Sequence, residues 1–214
     1  EELIERYPET VVGEKIIGWN KSELSFNKSL PWSEALIERF ADEWDWRNLS
    51  QNESLPLSEL LIERYADKWN WSFLCCNKYF PWSEAFIERY ADKWDWGRDG
   101  LSDNESLPWT EELIERYADK WEWGVSDTYG WHGSVTLNGL SSNKSLPWSE
   151  ALIERYADKW NWGQFGLSRN KSLPWSESLI ERYADKWEWF YLGHNQGVKK
   201  LFRNWTKQEI SAAL

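Results

Sequence analysis

The chain lacks the features that mark several common protein classes. Its 214 residues contain no Met, and the only two Cys are adjacent at Cys75 and Cys76, so a disulfide framework is not expected. No apolar run approaches the roughly 20 residues that span a bilayer, and no signal peptide is visible, which predicts a cytoplasmic protein without a membrane partner. Because Met is missing even at position 1, the sequence is expected to begin inside a longer product. The formal charge of −11 argues against direct nucleic-acid binding, since phosphates require a cationic face.

Aromatic residues, by contrast, are abundant, and most of them belong to a tandem repeat. The 20 Trp exclude a disordered chain. Six full units begin at an Asn in Asn-x-Ser or a close variant, with a last echo at Asn195; the starts are Asn27, Asn52, Asn77, Asn104, Asn143 and Asn170. We therefore divide the chain into a degenerate partial repeat (1–26), six repeats (27–189) and a C-terminal capping segment (190–214).

The unit from Asn27 predicts one short helix followed by a second turn. Ser33 is a good N-cap, and the apolar stripe that follows has helical spacing, which predicts a helix ending near Trp44 and a further turn, of 3₁₀ type, around Trp46–Leu49. A single helix of three turns cannot bury this stripe alone, so units must stack on one another. The predicted fold is an all-α solenoid of short helix-turn units, about 25 residues per repeat, closed by an amphipathic C-terminal helix with Val198, Leu201, Phe202 and Trp205.

The repeat frame resembles a known type of sequence. A Leu-Ser-x-Asn turn, then Pro-Trp-Ser-Glu, then Leu-Ile-Glu-Arg-Tyr-Ala-Asp-Lys-Trp-Asp-Trp is similar to the tryptophan-rich tandem repeats of uncharacterised bacterial and giant-virus proteins. The resemblance covers about residues 24–195. This sequence differs from those repeats in the turn, where Lys or Glu follows the Asn and the related repeats tend to have Pro. The resemblance implies a repeat architecture and supplies no mechanism.

Seventeen of the Trp fall in three slots of the repeat. The first slot follows Pro and holds Trp32, Trp82, Trp109, Trp148 and Trp175. The second holds Trp44, Trp69, Trp94, Trp121, Trp160 and Trp187, and the third holds Trp46, Trp71, Trp96, Trp123, Trp162 and Trp189. This phasing predicts core packing between units. Exposed third-slot rings that stack on sugars are the alternative.

Charged residues repeat at the same pitch and define what we call the charged face. It consists of Glu38, Arg39, Glu63, Arg64, Glu88, Arg89, Glu115, Arg116, Glu154, Arg155, Glu181 and Arg182. We expect each Arg to approach a Glu of the next unit, forming a ladder of modest surface ion pairs. The Asn at each unit start is expected to bond turn backbone and to form a ladder of its own, with glycan attachment as the alternative.

The repeat is interrupted once, and this insertion is the candidate recognition loop. The unit from Asn104 is 39 residues long, and its insert (124–139) carries Tyr129, Trp131, His132 and Thr136. Insertions in repeat proteins map to loops on one face, often the binding face, although a neutral insertion is the alternative because loops lengthen at little free-energy cost. Cys75, Cys76 and His194 lie in corners of the repeat and are interpreted as structural.

No recognisable catalytic motif is present, so we expect no enzyme activity, no cofactor and no metal. The favoured function is a repeat scaffold that binds another protein, with the 124–139 insert and the charged face as candidate binding residues. Two alternatives stay open: an acidic nucleic-acid mimic that occupies a DNA- or RNA-binding protein, such as a phage anti-defence protein, and a carbohydrate-binding module. Self-stacking through the repeat ends is also conceivable.

Overall fold

A computed structural model describes residues 11–12, 15–16, 20–97, 100–124 and 139–202. The chain forms two compact units, Glu1–Asp95 with Ser106–Pro108 and Trp96–Glu105 with Trp109–Leu214, and each is treated by itself below. Both are built from short helices in a regular repeating arrangement, which confirms the predicted all-α repeat fold. The first unit also contains a two-stranded antiparallel pair, β1 (Val11–Val12) and β2 (Lys15–Ile16), in which Val11 is the partner of Ile16.

Each repeat contains a six-residue helix, here called the repeat helix. The first unit contains Glu34–Arg39, Glu59–Arg64 and Glu84–Arg89, and the second contains Glu111–Arg116, Glu150–Arg155 and Glu177–Arg182. Ser33 caps the first of them as predicted, because its hydroxyl accepts a hydrogen bond from the Leu36 N–H at 3.1 Å. The two apolar residues in the middle of each repeat helix, such as Leu36 and Ile37, are buried.

The predicted helix end near Trp44 is wrong by five residues. The helix ends at Arg39, because Phe40 leaves the helical conformation with φ −119° and ψ 30°. The chain then forms a tight turn in which the N–H groups of Glu43 and Trp44 both donate to the Phe40 carbonyl oxygen, at 2.8 and 3.2 Å. Since Phe40 and Trp44 are buried in this turn as they would be in a helix, the apolar spacing alone predicted one continuous helix.

A second short element, here called the corner helix, follows the third-slot Trp. In the first unit these are the α-helices Lys21–Phe26, Trp46–Gln51 and Trp71–Leu74, and in the second they are the 3₁₀ turns Leu101–Asp103, Leu140–Ser142 and Leu167–Arg169 and the α-helix Trp189–Leu192. Successive corner helices within a unit contact one another. A second turn is therefore confirmed, but the 3₁₀ type predicted around 46–49 is wrong, because Trp46–Gln51 is an α-helix. Gln196–Leu201 is a further helix in the predicted capping segment, with Val198 buried.

The Asn at the start of each repeat ties consecutive corners together. Asn170 is 4% exposed, its Nδ2 donates to the carbonyl oxygens of Ser141 and Asn143 at 3.2 and 3.1 Å, and its Oδ1 accepts from the Ser172 N–H at 2.9 Å. Asn52, Asn143 and Asn195 make equivalent bonds to the preceding repeat. The predicted Asn ladder is therefore confirmed. A buried amide with these partners is not a glycan acceptor in the folded chain.

The Ser two positions before this Asn forms a hydrogen bond with the backbone of the following repeat. Its hydroxyl accepts a hydrogen bond from a backbone N–H twenty positions later, as in Asn161 to Ser141 at 2.9 Å and Glu188 to Ser168 at 3.0 Å. Cys75 occupies this slot in its repeat, and its Sγ accepts from the Asp95 N–H at 3.3 Å. The two kinds of corner bond fix the register of successive repeats without any long helix.

Tryptophan rings fill the space between repeats within each unit. Every second-slot Trp is buried. Four of the six, Trp94, Trp121, Trp160 and Trp187, contact both a first-slot ring of their own repeat and a third-slot ring of the preceding one. Trp160, for example, lies 5.0 Å from Trp148 and 4.6 Å from Trp123, measured between ring centroids. These tilted and edge-to-face pairs are the favourable geometries for aromatic rings. The predicted core role of the second slot is confirmed.

Candidate interaction surfaces and the corner cavity

The charged face forms a ladder of ion pairs, although its direction is opposite to the one predicted. Four of the six Arg contact a Glu of the preceding repeat, not of the next. The pairs are Arg64 with Glu38, Arg89 with Glu63 at 3.5 Å, Arg155 with Glu115 at 3.5 Å and Arg182 with Glu154 at 3.5 Å. In the first repeat Arg39 lies over the ring of Phe40 instead. Because all of these side chains are largely exposed, each pair is worth less than about 1 kcal/mol.

A second ladder is formed by the Asp and Lys of the Ala-Asp-Lys-Trp segment. Lys68 Nζ contacts Asp42 Oδ1 of the preceding repeat at 2.6 Å and the Ala41 carbonyl oxygen at 3.2 Å. Its hydrogen bond and positive charge lower the pKa of Asp42 below the usual value of 3.8. The same Lys lies 5.6 Å from the ring centroid of Trp46, a cation–π geometry. Lys93, Lys159 and Lys186 repeat this arrangement.

The third-slot rings are therefore covered and do not offer open faces for sugar stacking. Trp123 shows the pattern: Tyr156 and Trp160 of the next repeat contact its ring at 4.7 and 4.6 Å, and Lys159 lies 5.4 Å from its centroid. Trp189 is different, because it is 53% exposed and lies beside Phe190, which is 66% exposed. The carbohydrate-binding alternative loses its structural basis at the covered positions.

The first and last residues of the insert form a narrow neck. These residues, Gly124 and Gly139, have φ values of +122° and +137°, a conformation that favours Gly. Across the neck, the N–H groups of Leu140 and Ser141 donate to the carbonyl oxygens of Glu122 and Trp123 at 2.9 and 3.2 Å. The corner helix Leu140–Ser142 follows directly after Gly139. Tyr129, Trp131, His132 and Thr136 lie outside the described residues, so the recognition role assigned to them stays a prediction.

The two Cys have different environments. Cys75 is fully buried, and burial raises the pKa of its thiol to about 12. Cys76 is exposed, and its Sγ contacts the Ser72 carbonyl oxygen. This supports the structural interpretation of Cys75, since a protonated buried thiol is a poor nucleophile. His194 is exposed, and its Nδ1 lies 2.7 Å from the carbonyl oxygen of Phe190.

The second unit contains a cavity of about 330 Å³ at the corners of three successive repeats. Here the segment Gly163–Gly166 is two residues longer than the corner of a 25-residue repeat, and its turn places Gln164 and Phe165 in the cavity wall. A Cβ at Gly166 would overlap the Asn161 carbonyl oxygen, so only Gly allows this turn. The remaining wall is polar and is formed by Asp103, Glu105, Ser142, Asn143, Lys144, Gly166, Arg169, Asn170 and Lys171.

Other kinds of site find no support in the part of the chain that the structure describes. That part contains no group of three or more His, Cys, Asp or Glu side chains able to hold a metal ion. No helix among the same residues is long and apolar enough to cross a membrane. Comparison with models of protein families, with curated proteins and with solved structures finds no match to the chain.

Neither the corner cavity nor the contact of the repeated Lys with a Trp ring is predicted from the sequence. Two signals for the cavity were present. The repeat from Asn143 is 27 residues long, and Lys follows both Asn143 and Asn170, where the preceding repeats alternate Lys with Glu. The Lys in question is that of Ala-Asp-Lys-Trp. Only the structure places it on a Trp ring of the preceding repeat.

Proposed function

We propose that the chain is a non-catalytic scaffold that binds another protein through the charged face of its repeats. The supporting observation is the ion-pair ladder itself, in which Arg64 and Arg89 hold Glu38 and Glu63 of the preceding repeats in a fixed order. Repeat proteins use such regularly spaced surfaces for binding. A surface fixed before binding loses less conformational entropy when a partner docks.

The nucleic-acid mimic is less well supported by the same geometry. A mimic of phosphates should present carboxylates with little compensation. Along the ladders, Lys68 neutralises Asp42, Lys159 neutralises Asp119 at 3.3 Å, and each paired Glu has its Arg. The solvent-facing pattern therefore alternates in sign. A partner that recognises such a pattern needs complementary charges at matching positions, which gives specificity more than raw affinity.

A charge-swap variant tests whether partner binding depends on the order of the charges along the face or only on the net charge. Glu38→Arg is combined with Arg64→Glu, and Glu63→Arg with Arg89→Glu, so that every ion pair and the net charge are retained while the order of signs is reversed. Far-UV circular dichroism and thermal unfolding establish that the fold is unchanged. Wild-type and swapped chains are then used as baits in the cells or lysate of origin, and captured proteins are quantified at low and high salt.

The scaffold predicts a partner that the wild-type chain captures and the swapped chain captures at least tenfold less. A nucleic-acid-binding protein that both chains capture equally and that high salt removes would favour the mimic. A third bait lacking residues 125–138 tests the insert, because the neck at Gly124 and Gly139 allows the loop to be removed without breaking the corner. A partner lost only from this bait would move the binding role from the charged face to the insert.

A further inference from the structure

The residue after each repeat Asn forms a ladder of its own along the corners. Within the first unit this ladder alternates in sign, because Glu53 contacts Lys28 at 2.9 Å and Lys78 at 4.0 Å. Within the second unit it begins in the same way, with Lys144 contacting Glu105 at 3.6 Å. Alternation thus keeps the corners close to neutral.

Lys171 breaks this alternation. It follows Lys144 in the ladder and is succeeded by Gln196, so its neighbours along the corner offer no carboxylate. Among the residues that the structure describes, neither Lys171 nor Arg169 forms an ion pair. Arg169 instead lies 5.8 Å from the ring centroid of Tyr191, which orients its guanidinium.

These cations lie at the corner cavity. Lys144, Arg169 and Lys171 all line it, against the acids Asp103 and Glu105, so the wall carries one net positive charge in an otherwise acidic chain. Phe165 adds an apolar surface that is only half-buried. The volume of about 330 Å³ is at the lower end of the range found for small-ligand pockets.

We propose that the corner cavity binds a carboxylate group attached to an aromatic or other apolar body. The guanidinium of Arg169 matches a carboxylate through two parallel hydrogen bonds, Lys171 contributes a point charge, and Phe165 contacts the apolar part. One net positive charge in the wall is balanced by one carboxylate, whereas a phosphoryl group, with close to two negative charges, would overcompensate it beside Asp103 and Glu105. The site stands independently of the proposed scaffold function.

Binding is tested with two probes that differ only in charge. N-acetyl-phenylalanine carries the carboxylate, and N-acetyl-phenylalanine amide lacks it. Each is titrated into the isotope-labelled full chain while NMR follows the amide signals of Gln164, Phe165 and Lys171. The expected result is saturable shifts at these positions with the acid and at least tenfold weaker binding of the amide.

Matched variants test whether binding of the acid depends on the cavity residues or only on the charge of the whole chain. Lys171→Glu and Lys171→Gln should weaken binding of the acid at least tenfold. Lys28→Glu makes the same charge change as Lys171→Glu at an equally exposed ladder position that does not line the cavity, and it should leave binding unchanged. Equal affinity for acid and amide, or equal loss in Lys28→Glu, would overturn the proposal.

Such a carboxylate has two sources, a protein C-terminus and a small carboxylic acid, and the length of the probe distinguishes them. A tripeptide that ends in Phe with a free C-terminus is compared with N-acetyl-phenylalanine. Tighter binding of the tripeptide assigns the cavity to a protein C-terminus, and equal binding assigns it to a small carboxylic acid.

Discussion

Replacement of Asn170 by Ala tests how the repeats are held together. The substitution removes three hydrogen bonds of a buried side chain: two from Nδ2 to carbonyl oxygens of the preceding repeats and one from the Ser172 N–H to Oδ1. At a net value of about 1 kcal/mol per hydrogen bond, the free energy of unfolding should fall by about 3 kcal/mol. The two carbonyl oxygens would also be left buried without this donor.

Asn27 provides the matched control, because it begins the same Asn-Lys-Ser sequence. Its side chain is exposed, and its Oδ1 accepts one hydrogen bond, from the Ser29 N–H at 2.8 Å. Asn27→Ala should therefore lower the free energy of unfolding by about 1 kcal/mol or less. The two variants remove the same atoms and differ only in what those atoms contact.

Urea denaturation followed by far-UV circular dichroism and Trp fluorescence measures both changes. With a slope of about 3 kcal/mol/M, Asn170→Ala should shift the midpoint by about 1 M. Asn170→Asp should be at least as destabilising, since it keeps the acceptor but turns a carboxylate oxygen toward two carbonyls. Equal shifts for Asn27→Ala and Asn170→Ala would refute the reasoning, because the ladder bonds would then contribute nothing beyond the local turn.

Three further predictions concern positions where the repeat departs from its consensus. Leu57→Trp should stabilise the first unit by about 1 kcal/mol, because a first-slot ring would contact Trp69, which lacks that neighbour; an unchanged urea midpoint would contradict this. Cys76 should react with a thiol reagent at neutral pH, whereas Cys75, whose pKa burial raises to about 12, should react only after unfolding. Mass spectrometry distinguishes the two, and similar native rates would show that Cys75 is accessible. Gly139→Ala should lower the thermal midpoint, because the residue has φ +137° and a Cβ would lie 2.7 Å from a carbonyl oxygen across the neck; an unchanged midpoint would indicate that the neck relaxes freely.

The parts of the fold that the sequence predicted are those set by local chemistry. A Ser before a Glu and an apolar run predicts an N-cap wherever it occurs, and Ser33, Ser149 and Ser176 all cap their helices. An Asn in a turn predicts side-chain bonding to backbone. Each of these inferences needs only a few consecutive residues. Because the unit repeats, the same local signal occurs several times along the chain.

The parts that failed depend on contacts between repeats. Apolar spacing does not distinguish a helix from the tight turn at Phe40–Trp44, since both bury the same side chains. The direction of the ion-pair ladder depends on how one repeat is offset against the next, which a single unit does not encode. The contact of Lys159 with Trp123 is a further example, because its long side chain reaches the preceding repeat and covers the ring.

The repeat interface also bears on self-stacking through the ends. An incoming repeat would have to cover Trp189 as Tyr156, Lys159 and Trp160 cover Trp123. The 27–51 repeat of a second copy offers Phe40 and Trp44, both already buried, and has Glu43 where the later repeats have Lys. Glu43 contacts Lys21 of its own chain at 2.5 Å and cannot form a cation–π contact.

The Lys that covers the third-slot ring in the later repeats is therefore replaced by Glu in the 27–51 repeat. A Glu carboxylate would approach both the electron-rich ring face of Trp189 and the Ala184 carbonyl oxygen that a Lys would otherwise bind, and both contacts are repulsive. Near-identical internal repeats favour fibres only if the two ends complement each other. The 27–51 repeat, with Glu43 at this position, complements Trp189 poorly, and we therefore predict that it does not stack on Trp189 of a second copy.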